Sequence, residues 1–255
     1  MKISIITICY NNESDIRATI ESVLGQTYTD IEYIVKDGGS TDGTMTIVDE
    51  YRDRIDKVIS APDKGLYDAL NQGMQAATGD VIGMIHAGDR LHDSRVIEDI
   101  AGFFEHDGVD VMYGHSRIVD TRGRTVRLNR SPRYSKRLVR WGWMASHQSI
   151  YVRREVLQRY GYYTMNVGGS GDYEWFVKYF YKHADELRIQ RNDRYIVRFT
   201  LGGQSTKNKR ERIGRKNRDI LRQCWKNNGL KPPFALPYRK FMWTLRQFVL
   251  AKLEN

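Results

Sequence analysis

Ile3-Ser4-Ile5-Ile6-Thr7-Ile8-Cys9-Tyr10-Asn11-Asn12 opens the chain with a β-branched run that breaks into a polar turn. Residues 2–9 read as a strand buried on both faces, since the run is nearly continuous in apolar residues. Asn11-Asn12-Glu13 supplies a turn and a helix cap, and Ser14 to Leu24 has helical apolar spacing through Ile16, Ile20, Val23 and Leu24. Ile31 to Val35 is the next strand and ends in Asp37-Gly38-Gly39-Ser40-Thr41-Asp42-Gly43. Thr44 to Tyr51 reads as helix, Lys57 to Ser60 as strand, Leu66 to Ala77 as helix and Val81 to Ile85 as strand. Strand and helix alternating through short connections predict an α/β, doubly wound, mostly parallel sheet. Ligands of such sheets gather beyond the carboxyl ends of the strands. Tyr10-Asn11-Asn12, Asp37 to Asp42 and His86 to Asp89 all fall there.

The remainder changes character. Val109 to Tyr113, Ser116 to Asp120, Thr125 to Leu128, Gln148 to Arg153 and Tyr195 to Phe199 read as strands. Gly168-Gly169-Ser170-Gly171 precedes a helix from Asp172 to His183, and Leu236 to Leu253 forms a last, amphipathic helix. The 255 residues, 40% apolar and 11% aromatic, are ample for a large core and exclude disorder as the default. Cys9 and Cys224 lie far apart, which excludes a disulfide scaffold or a four-cysteine zinc site. There is no apolar run of about 18 residues and no signal-type segment, so the sequence reads as cytoplasmic.

Charge is unevenly placed. The chain carries 41 Lys+Arg against 31 Asp+Glu, and residues 201–255 hold 14 basic residues against 3 acidic ones. A near-neutral body with a basic tail points to an anionic partner. Basic and aromatic amphipathic character suits an anionic membrane surface, while a solvated face, packing of the last helix on the rest of the chain, or packing on a second subunit, a homodimer, remains open.

The polar clusters permit specific chemistry. Neither a dinucleotide fingerprint nor a P-loop is present, and there is no serine elbow or zinc-protease helix. Tyr10 can stack on a base and Asp37 can accept a base N–H, or Asp37 can bond its own turn backbone. Asp89 can bind a divalent cation on a diphosphate, or cap a helix over Leu91 to Ile97. Asp172 can be a general base for a hydroxyl, or an acid favoured by the helix dipole.

These clusters, in this order, resemble the family-2 glycosyltransferases with the GT-A fold. The resemblance rests on Ile5-Ile6-Thr7-Ile8-Cys9-Tyr10-Asn11 and on Asp37-Gly38-Gly39-Ser40-Thr41-Asp42-Gly43-Thr44. It continues through Pro62-Asp63-Lys64-Gly65-Leu66-Tyr67-Asp68-Ala69-Leu70-Asn71-Gln72-Gly73 and Ala77-Thr78-Gly79-Asp80. His86-Ala87-Gly88-Asp89, His147-Gln148, Gly171-Asp172-Tyr173 and Gly202-Gly203-Gln204-Ser205 complete it. The Asp63 to Asn71 run is similar to a subgroup in bacterial surface polysaccharide synthesis, such as colanic acid, O-antigen and capsule enzymes. The resemblance implies a GT-A catalytic domain over 1–205, with a nucleotide-sugar half (1–92) and an acceptor half (93–205), and a basic helical tail over 206–255. It implies inverting transfer of a hexosyl or N-acetylhexosaminyl group from a nucleotide-sugar, a UDP-sugar first, to a glycan or polyprenyl-diphosphate-linked acceptor. On the nucleotide-sugar side it places Thr7, Tyr10, Asn11, Asp37, Asp63, Lys64, Asn71, Gly88 and Asp89. It implies that Asp89 holds Mn²⁺ or Mg²⁺, that Asp172 is the general base, that His147 and Gln148 shape the acceptor side, and that the tail meets the inner face of the cytoplasmic membrane. One departure stands out: in His86-Ala87-Gly88-Asp89 the first acid of the family's Asp-x-Asp motif is missing, and His86 stands where the subgroup often has Asn. His86 can ligate a transition metal or pack, and His147 can equally be a core histidine. Two other classes compete. One is a catalytically silent GT-A-like binding module, suggested by the missing acid. The other is a nucleic-acid-binding protein drawn by the tail, against which stands the absence of any reading motif.

Overall fold

The computed structural model describes residues 1–165, 171–201, 222, 224–231, 247, 250 and 251. Its first half is the predicted alternation. β1 (Ile3–Cys9), β2 (Ile31–Asp37), β3 (Lys57–Ser60) and β4 (Val81–Met84) alternate with α1 (Ile16–Leu24), α2 (Thr44–Asp49) and α3 (Leu66–Ala76). These four strands are parallel, in the order β3-β2-β1-β4. Beyond them come β5 (Arg90–Leu91), α4 (Val96–Asp107), β6 (Val111–Val119), β7 (Thr125–Asn129), α5 (Lys136–Arg140), β8 (Ile150–Arg153), α6 (Arg154–Tyr160), α7 (Gly171–Val177) and β9 (Ile189–Thr200). The sheet continues β4-β8-β6-β9-β5, with β7 hydrogen-bonded to β6. In this half β8 and β7 run antiparallel to β6, and β9 runs parallel to it.

Period-2 alternation divides the core. Ile6 and Ile8 of β1 face Leu70 and Met74 of α3, and the same cluster takes in Val156, Trp175 and Phe176. Ile3 and Ile5 face Ile16, Ile20 and Val23 of α1, together with Ile100 and Phe104 of α4. The i, i+4, i+7 spacing of Ile16, Ile20 and Val23 puts them on one side of α1, so that side packs on the sheet. Each fully buried large side chain contributes about 1.5–3 kcal/mol.

The structure corrects several boundaries. The two strands expected around Gly114 and His115 are one strand, β6, bent by register shifts against β9 at Tyr113/His115 and His115/Ser116. Polar residues there pair across the sheet, so the apolar gap in the sequence is not a break. The helix expected from Leu91 starts only at Val96, because Arg90 and Leu91 pair with Arg198 and Val197 of β9. Asp89 is therefore no cap of that helix. β9 begins at Ile189, well before the apolar run, and α7 passes into a π-helical turn at Lys178–Lys182. Gln148 lies in a 3₁₀ turn, His147–Ser149, ahead of β8.

The segment expected as a tail from 206 is described only in part. Leu230 joins the core beside partly buried Trp225, and Trp225 Nε1 donates to Tyr173 Oη at 3.1 Å. The helix expected over Leu236 to Leu253 falls largely outside the described residues, as does Gly202-Gly203-Gln204-Ser205.

Candidate active site

The carboxyl ends of β1, β2 and β3 are level, with Cys9 opposite Asp37 and Asp37 opposite Ser60. The loops that follow them therefore meet at one edge. Tyr10, just past β1, is 52% exposed. Asn11 adopts φ +52°, its N–H donates to Ser40 Oγ, and its Oδ1 accepts from Thr41 N at 2.9 Å. This cross-linking joins the first loop to the second.

Asp37 is wholly buried. Its carboxylate accepts from Gly39 N, Ser40 N, Ser40 Oγ and Ser60 Oγ. Burial alone would raise its pKa; those hydrogen bonds outweigh burial and hold it below the usual carboxylate range. The arrangement is that of a turn-holding aspartate. Thr7 is also buried, with Oγ1 hydrogen-bonded to Tyr33 Oη at 3.0 Å. Asn71 sits on α3 and clasps the backbone of Tyr163 through both amide atoms. Lys64 is exposed, and its backbone N–H donates to Asp68. Asp63 is partly buried beside Gly38.

The third loop brings Asp89 to the meeting point of three elements. Gln148 Nε2 donates to its Oδ2 at 2.8 Å, and Thr200 N, at the end of β9, donates to its Oδ1 at 3.2 Å. Gly88, at φ +97°, donates its N–H to Thr19 Oγ1 of α1. Burial pushes the Asp89 carboxyl up to about 6, against those hydrogen bonds. A buried carboxylate so placed gains from a nearby cation. Among the described residues no group of three or more His, Cys, Asp or Glu is arranged to hold a metal ion. A cation at this loop would therefore take Asp89 as a single carboxylate, with diphosphate and water filling its other positions.

His86 and His147 meet edge to face, with Nε2 atoms 3.0 Å apart. Burial, and then the neighbouring His147, hold His86 well below its ordinary pKa, so it is neutral at pH 7. One ring must donate and the other accept. His147 Nδ1 lies 3.7 Å from Asp172 Oδ2 at the start of α7. Asp172 N donates to Tyr67 Oη, and the Tyr67 ring fills the space where a side chain on Gly171 would project. Sequence reasoning passed over Lys36, Tyr67 and Thr200. Tyr67 stood inside the quoted Asp63 to Asn71 run, whereas Lys36 and Thr200 carry no local signal.

Comparison with known proteins agrees with this architecture. TarS of S. aureus, residues 1–349 in complex with UDP-GlcNAc, superposes with a TM-score of 0.71 at 18% identity, over 94% of this chain and 69% of that one. The chain spans 41% of the longer TarS structure. Mannosyltransferase PcManGT from Pyrobaculum calidifontis, in complex with GDP-Man and Mn²⁺, gives 0.65 at 18% identity over 98% of this chain and 73% of its own. The fold is the GT-A fold of glycosyltransferases. The chain belongs to glycosyl transferase family 2, whose family model matches residues 4–161. A PGL/p-HBAD biosynthesis glycosyltransferase of Mycobacterium bovis (strain BCG / Pasteur 1173P2) is 27% identical over 181 residues, covering 69% of each chain. No helix among the described residues is long and apolar enough to cross a membrane.

Proposed function

We propose that this glycosyltransferase moves a sugar, with inversion, from a UDP-sugar to a hydroxyl of a glycan or lipid-linked acceptor. The observation that carries the reading is the convergence of Asp89 and Asp172 on the adjacent residues Gln148 and His147. The UDP-GlcNAc and GDP-Man complexes of the two structural relatives support a nucleotide-sugar donor, and the Mn²⁺ of one supports a divalent cation.

Tyr10, Asn11, Asp63, Lys64, Gly88 and Asp89 line the donor side. Asp37, Thr7 and Asn71 hold that side from behind, through the contacts described above. Mn²⁺ or Mg²⁺ bound at Asp89 would neutralise charge that grows on the leaving diphosphate, where stabilisation lowers the barrier. On the other side Asp172 takes the proton of the acceptor hydroxyl. The new bond from that oxygen to the anomeric carbon forms as the bond to the diphosphate oxygen breaks. One displacement inverts the centre with no covalent enzyme intermediate. His147 and Gln148 border the acceptor. The basic tail would hold the protein on an anionic membrane surface.

The test is calorimetric titration of the full chain with UDP, GDP and CMP, each with and without Mn²⁺ or Mg²⁺. UDP binding that strengthens with metal is expected. A preference for GDP would keep the reaction and change the donor class. No nucleotide binding under any condition would overturn the reading in favour of a catalytically silent module.

A further inference from the structure

The donor edge holds two carboxylates that could meet a base, Asp37 and Asp63, and the structure treats them differently. Asp37 faces inward, with both oxygens occupied by its own turn and by Ser60. The next residue, Gly38, has no side chain. A Cβ there would lie 2.7 Å from Asp63 Oδ2 and 3.3 Å from Tyr10 Cδ2. The Asp63 carboxylate thus occupies the space over Gly38, a space that the exposed Tyr10 ring also borders.

Asp63 is also held in place. Its Oδ1 accepts from Gly65 N at 2.8 Å, and its Oδ2 lies 3.4 Å from Lys36 Nζ. Lys36 is wholly buried, and its ammonium is fixed by the backbone carbonyls of Asp37 and Ala61. A buried cation with three oxygen partners is a rigid anchor. It sets the position of a carboxylate whose side chain remains 13% exposed.

We propose that Asp63 is the carboxylate that reads the nucleotide base, with Tyr10 as its stacking surface, and that Asp37 serves only to hold the turn. This rests on the nucleotide-sugar reading above. A carboxylate accepts from the ring N–H of uracil or guanine. Neutral cytosine offers only a lone pair at the corresponding nitrogen and is disfavoured. Gly38 is part of the same device, since any side chain there would displace the carboxylate.

The test compares UDP, GDP and CDP binding by calorimetry in the full chain, in Asp63→Asn and in Gly38→Ala, with thermal melts of each. Wild type is expected to bind UDP or GDP at least tenfold more tightly than CDP. Asp63→Asn should weaken that nucleotide on the order of ten- to hundredfold, as for loss of a charge-assisted hydrogen bond, and narrow the gap to CDP. Loss of the carboxylate beside buried Lys36 also lowers the melting temperature, so binding is read at a temperature where the melts show the variant folded. Gly38→Ala should act in the same direction, and it keeps the test decisive if Asp63→Asn does not fold. Nucleotide affinity and base discrimination unchanged in the folded variants would overturn the assignment. Failure of wild type to bind any nucleoside diphosphate would instead overturn the donor reading, and the assignment with it.

Discussion

Glu32 shows how one buried charge can organise a region away from the site. Its carboxylate accepts from Ser4 Oγ, Lys57 Nζ, Thr78 N and Thr78 Oγ1. Burial alone would raise its pKa, but those partners outweigh burial and leave it at about 2. The folded state therefore keeps Glu32 ionised at pH values where the unfolded chain takes up a proton. That stabilisation is complete above the ordinary glutamate range and is lost as pH falls from about 4.5 towards 2. Glu32→Gln is expected to lower the melting temperature by several degrees at pH 7, as for about 1–3 kcal/mol, and to flatten the acid limb of the stability curve. Melts from pH 2 to 7 read both effects. An acid limb unchanged in the variant would remove Glu32 from the account. Asp37 and Asp63 teach a related lesson about legibility. The sequence supplied both acids, yet which of them is saturated depends on Ser60 and Lys36, placed by strand register.

Among the elements, β4 and β8 meet in an unusual way. A Cβ on Gly83 of β4 would lie 2.1 Å from the ring of Tyr151 on β8. Tyr151 is wholly buried, and its hydroxyl has no hydrogen-bond partner among the described residues. Tyr151→Phe removes an unsatisfied polar group and keeps the ring, so it is expected to raise stability by about 1 kcal/mol. Denaturant melts check this, and a destabilised variant would mean the hydroxyl is satisfied in solution. The first four strands were legible because each is a short apolar run closed by a polar turn. β6 and β9 were legible only in fragments, and β5 reads as the start of a helix. Their residues alternate or mix charge with apolar groups, as in Ile189 to Arg194, and take strand form only through pairing with distant partners. Hence the sequence located Asp89 at a strand end but not Thr200 N, which reaches it from β9.

For the whole molecule, the C-terminal segment is both charged and partly built into the body. Cys224, Leu230 and Ala251 are buried, Arg140 Nε donates to Lys231 O, and Gln247 Nε2 donates to Asn129 Oδ1. Deleting the segment would therefore strip Leu230 and Trp225 from the core as well as removing charge. A charge-neutralised chain is the cleaner probe. Replacing Lys207, Lys209, Arg210, Arg212, Arg215, Lys216 and Arg218 with Gln is expected to abolish flotation with vesicles rich in anionic lipid, while wild type floats with them and not with neutral vesicles. Near-surface cations contribute about 1 kcal/mol each, so the effect should be far larger than tenfold. Equal flotation of both chains would count against membrane docking through this run.

The turn at His147 and Gln148 carries a wider consequence. His147 Nδ1 lies 3.7 Å from Asp172 Oδ2, and Gln148 donates to Asp89 while its Oε1 accepts from His86 N. Two neighbouring side chains thus act as a common axle between Asp172 and Asp89. On the proposed function, remodelling this turn to admit a new acceptor would disturb the donor side in the same stroke, so a change of acceptor is better sought in other segments.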